Sequence, residues 1–79
     1  MEHTPTLELV DDAARAIDRR GITNVPSTMV ADIVQHGRLA GASPIALGIL
    51  ADPAEPRVVR ERAFVRVASR MIGNLRYAA

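Results

Sequence analysis

Seventy-nine residues, 48% of them apolar and 24% charged, suffice for one small domain and leave no room for a second. Thirteen alanines stand among the apolar residues and Phe64 and Tyr77 are the only aromatics, so the core this chain can bury is thin. The lack of cysteine excludes disulfides and thiolate chemistry, and no apolar run approaches the roughly 18 residues that a membrane span requires.

The net charge of +1 conceals a division. Residues 1–55 hold eight acids against four arginines, a net −4, whereas residues 56–79 hold six arginines against Glu61 alone, a net +5. A basic segment packed beside an acidic one projects less field than its own charge implies. All ten cations are arginine, the better residue for bidentate contact with phosphate or carboxylate and also the product of GC-rich coding.

Residues 1–5 show no apolar period and are expected to form a flexible tail, with residues 6–79 as the folded domain. The acidic start MEHTPTLELVDD lacks the basic character of a signal peptide and points to the cytoplasm. From Thr6 to Arg20, the apolar residues Leu7, Val10, Ala14 and Ile17 recur at helical spacing. Glu8, Asp11 and Asp12 suit the start of that helix, and Arg19 and Arg20 its end. Thr4 or Thr6 is placed to cap it, and Gly21 stands where a left-handed residue would close it. Pro26 biases Val25 away from helix, Ser27 can cap a second helix over 28–36, and Gly37 is expected to end it. Ser43 and Pro44 form a cap and first-turn pair for a third helix through Ala51. That helix, PIALGILA, has no polar side chain and is expected to be buried on all sides, Leu47 and Ile49 almost completely. Asp52, Pro53, Glu55 and Pro56 then punctuate the chain, with Asp52 or Glu55 near the positive end of the next helix.

The last predicted helix, 56–77, is the longest. Phe64, Val67, Ala68, Met71, Ile72, Leu75 and Ala78 share one side, and Arg62, Arg66 and Arg70 stack on another at i, i+4, i+8. Residues 50–73 also resemble the second half of a HEAT-type repeat, through Leu50, Asp52, Pro53, Val59, Arg60, Ala63 and Ala68. The resemblance implies a helical hairpin in which 44–51 lies against the last helix. One such unit cannot form a solenoid.

The fold class that follows is all-α: a small bundle of about four helices, three short and one long and C-terminal. A thin core without staples leaves self-association as the common support, so a homodimer is expected, with Phe64, Met71 and Leu75 at its seam. Catalytic resources are poor. Asp32 and His36 share a helix face at i, i+4, yet two ligands do not close a metal site, and adjacent Asp11 and Asp12 diverge by about 100° on a helix. Ser27 and Ser43 read as caps. No catalytic, metal or cofactor residue is assigned. A helix-turn-helix is disfavoured because 37–43 is too long a connection and PIALGILA offers no hydrogen-bonding side chain to a base edge. The expected function is that of a non-enzymatic interaction or regulatory protein docking an acidic macromolecule through Arg62, Arg66 and Arg70, helped by Arg57 and Arg76. The alternative places the same face on DNA or RNA phosphates, with Arg57, Arg60 and Arg76 contributing.

Overall fold

The computed structural model describes the backbone of residues 5–78 and the side chains of residues 6–74. The expected four helices form: α1 (Pro5–Arg20), α2 (Ser27–Leu39), α3 (Pro44–Ala51) and α4 (Arg57–Ala78), with a 3₁₀ turn, Ile22–Asn24, between the first two. Among the described residues there is no strand, and no helix is long and apolar enough to cross a membrane. Pro5, expected in the tail, belongs to α1, since a fixed φ and a missing amide suit a first helical turn. Residues 1–4, including the candidate cap Thr4, lie outside the described residues.

The α1 helix stops at Gly21, whose amide donates to the carbonyl of Ile17 at 2.8 Å. Its φ is positive as expected, at 78°, but its ψ of 153° is extended, a combination open to glycine almost alone. Instead of completing a left-handed cap, the chain turns directly into the 3₁₀ turn and inserts Ile22 into the core. Pro26 then occupies the N-cap of α2, where its carbonyl accepts from the amides of Met29 and Val30. Ser27, expected as that cap, is the first helical residue and makes no capping bond.

Gly37 does not end α2. It lies inside the helix and is buried, because a side chain there would meet Val67 Cγ1 at 2.6 Å and Leu47 Cδ2 at 3.0 Å. The helix ends instead at Gly41, φ 82°, in a Schellman arrangement: Ala42 donates to Gly37 across 2.9 Å and Gly41 to Arg38 across 3.1 Å. The connection to α3 is therefore residues 40–43, and the objection to a helix-turn-helix on spacing falls. The chemical objection stands, because Pro44, Ile45, Gly48 and Ala51 are the exposed residues of α3.

That exposure also corrects the expectation that α3 is buried on every side. Ser43 caps it by accepting from the Ala46 amide at 3.4 Å, and Ala46, Leu47 and Leu50 are buried, but Ile45 is 76% exposed and Ile49 is half-buried. The reason is position: α3 packs mainly on α2 and α4, so its outer side has no cover. The central element is α4, which packs against α1, the 3₁₀ turn, α2 and α3. Its inward stripe of Ala63, Phe64, Val67, Ala68 and Met71 meets Val10, Ala13, Ile22, Ile33, Leu47 and Leu50 in one core.

Candidate functional site

The expected site is the cationic side of α4, and the structure divides its arginines into two groups. Three are committed to holding the fold. Arg60 is only 7% exposed, and its Nε and Nη2 donate to the carbonyl of Leu50 at 3.1 and 2.9 Å. That carbonyl lies in the last turn of α3, where no helical amide remains to satisfy it. Arg70 does the same for α2, donating from Nε to the carbonyl of Ala40 at 3.2 Å and lying beside Gly41. Arg57 stacks over Gly21 and donates from Nε to Glu61 Oε2 at 2.9 Å. The same Glu61 oxygen accepts from the Ile22 amide at 3.0 Å. The Ile22 bond, and then the Arg57 guanidinium, hold the Glu61 carboxyl below the usual glutamate range, against a smaller opposing effect of burial. Side chains of α4 thus secure the backbone just beyond α1 and the carbonyl ends of α2 and α3.

Arg62 and Arg66 form the second group. Both are exposed, and among the described residues neither makes a hydrogen bond or ion pair. They lie one turn apart, interleaved with Val58 and Val65, which are 58% and 60% exposed, and with Ser69. On a helix these five residues form one stripe diametrically away from Val67 and Met71. The expected row of three cations is therefore a pair, since Arg70 turns aside to α2. None of the three pairs with the described acids of α1; Asp11 instead meets Arg15 of its own helix at 2.8 Å. The side chains of Arg76 and Leu75 lie outside those described.

Phe64 and Met71, expected at a homodimer seam, are 6% and 1% exposed within the single chain. They are core residues, already covered by α1, α2 and α3, and have no surface left for a second copy. The Asp32 and His36 side chains do not pair either: the His36 Nδ1–H donates to the Asp32 backbone carbonyl at 2.9 Å. Among the described residues no group of three or more His, Cys, Asp and Glu is close enough to hold a metal ion.

The chain matches no known family model, no curated protein and no solved structure. Its likeness to a HEAT-type repeat consequently extends no further than the hairpin of α3 on α4, which the fold does contain.

The nucleic-acid alternative gave Arg60 a phosphate contact, whereas its guanidinium is buried against the Leu50 carbonyl. The signal was present: Arg60 precedes Phe64, Val67 and Met71 by four, seven and eleven residues and so continues the apolar stripe. An arginine on that stripe is buried, and a buried guanidinium needs acceptors, which near a helix end means free carbonyls.

Proposed function

We propose that this chain is a small non-enzymatic interaction module that docks an acidic protein surface through the outer stripe of α4. The observation that carries the reading is the exposed pair Arg62 and Arg66, without a partner among the described residues, set among exposed Val58 and Val65. Cations beside apolar side chains suit a protein partner, where carboxylates meet the guanidinium groups and the valines lose water. Phosphates of a nucleic acid would use the arginines and leave the valines in water. The partner in this reading is a different protein, because Phe64 and Met71, two of the three residues expected at a homodimer seam, are closed within the core of the single chain.

Two measurements separate the readings. Arg62→Glu/Arg66→Glu should fold normally, because neither guanidinium bonds within the described chain, and should fail to retain from source cells the partner that the native chain retains. With random duplex DNA, two phosphate contacts give a log–log salt slope of only about −2 and weak binding at physiological salt. Tight DNA binding with a slope steeper than about −3, abolished by the same double variant, would replace the protein-docking reading with the nucleic-acid one.

A further inference from the structure

On the side of the molecule away from Arg62 and Arg66, a groove of about 410 Å³ opens between the 3₁₀ turn, α2 and the α3–α4 connection. Its walls are largely apolar, with Val25, Val30, Ala31, Val34, Ala51 and Pro53 among them. Its lining includes two cations, Arg38 and Arg60, and no acid. Three acids adjoin lining residues in sequence and none of them lines the groove: Asp52, whose Oδ1 accepts from the Ala54 amide at 2.9 Å, Glu61, which accepts from the Ile22 amide and Arg57, and exposed Asp32. Arg60 lies more than nine-tenths buried and spends Nε and Nη2 on the Leu50 carbonyl. Its third nitrogen, Nη1, makes no hydrogen bond among the described residues. No described side-chain nitrogen or oxygen is both sealed from solvent and unpartnered, so Nη1 keeps an opening to solvent, and the groove that Arg60 lines supplies it. Arg38 is exposed at the same groove, and its side chain bonds to no described residue.

We infer that this groove binds a small monocarboxylate with an aliphatic body, its carboxylate between Arg60 Nη1 and Arg38 and its chain along Val30, Val34 and Ala51. Apolar walls with a few convergent polar groups, at a volume within the roughly 300–1,000 Å³ usual for ligand sites, are what such a ligand requires. A carboxylate fits better than a phosphate. One fixed guanidinium nitrogen and one mobile guanidinium can satisfy a single negative charge, whereas a phosphate dianion would surrender more hydration than these donors replace. A second groove of about 460 Å³ between α2 and α3 shares Val34, Arg38 and Ala51, so a longer chain has apolar wall to continue along.

The test is amide chemical-shift mapping of the full chain titrated with octanoate, with octanol as the same body without charge and acetate as the charge without a body. Octanoate should bind with a Kd on the order of 1 mM and move the amides of Val25, Val30, Ala31, Val34, Ala51 and Asp52. Octanol and acetate should bind at least about tenfold more weakly. Arg38→Gln, at an exposed side chain without internal bonds, should keep the native circular dichroism spectrum and weaken octanoate about five- to tenfold. Ala31→Trp, which fills the groove from an exposed position, should abolish the shifts. Equal binding of octanol, octanoate shifts that fall on the α1–α4 side, or unchanged affinity in folded Arg38→Gln would each overturn the inference. The Arg62→Glu/Arg66→Glu variant should bind octanoate like the native chain, so failure here is distinguishable from failure of the α4 docking site.

Discussion

Arg60 and Arg62 stand two residues apart on one helix and are predicted to respond oppositely to the same substitution. Removing the Arg60 guanidinium leaves the Leu50 carbonyl with no donor in a buried place and strips a long stem from the core edge. A hydrogen bond to a charged group contributes about 1.5–3 kcal/mol, so Arg60→Ala should cost about 2–3 kcal/mol in urea unfolding. Arg60→Lys should recover only part of that, because a single ammonium cannot reproduce two nitrogens aimed at one oxygen. Arg62→Ala, at a solvated side chain, should stay within about 0.5 kcal/mol of the native chain. Equal losses for the two alanine variants would mean that the division of α4 arginines into fold-holding and free is wrong. Composition alone could not reveal this division, since all ten cations are the same residue; angular position along the helix could, and it places Arg60 with Phe64 and Arg62 with Val58.

Between elements, contact is controlled by glycine and by a carboxylate. Gly37 lets α2 approach α4 closely enough that a methyl group would overlap fully buried Val67, whose branched side chain has no rotamer to retreat into. Gly37→Ala should therefore destabilise by about 1–3 kcal/mol through overpacking, although alanine is the better helix former. At Gly48 a methyl group would meet nothing within 4 Å, so Gly48→Ala should show the ordinary gain of about 0.5–1 kcal/mol. Thermal melts of the two variants moving in the same direction would contradict this reading of the α2–α4 contact. The sequence makes Gly37 look like punctuation, and only the facing helix shows it to be a point of contact. Glu61 joins α4 to the backbone just after α1, and its folded-state pKa lies below the ordinary glutamate value near about 4.3. The stability it contributes is thus present in full above that value and is lost as pH falls from there through the folded-state pKa. Glu61→Gln should lower stability at pH 7 and flatten the fall in stability below about pH 4.5, measured by urea unfolding across pH. An unchanged acid limb would show that the Ile22 bond does not control it.

At the scale of the whole molecule, the helical class and the long last helix were legible because apolar residues keep a 3.6-residue period through 6–20 and 57–72. What was not legible is the order of burial. Composition made α3 look central, but an all-apolar helix of eight residues that packs mainly on two neighbours leaves a side open, and Ile45 lies on it. The centre is occupied instead by amphipathic α4, and the radius of gyration, 11.8 Å, is close to the roughly 11.6 Å expected for a single folded chain of this length. This arrangement decides what Met71 does. As a core residue of one chain, its truncation should cost about 2–5 kcal/mol, a large share of the roughly 4–12 kcal/mol available to a domain of this size. The loss in Met71→Ala should be the same at micromolar and at near-millimolar protein, because its side chain is closed within one chain. At a seam, by contrast, the native melting temperature would climb with concentration and the variant would lose that dependence. Calorimetric melts of both proteins across that range, combined with sedimentation equilibrium, distinguish the two cases, and a concentration-dependent gap between native and Met71→Ala would return Met71 to an interface.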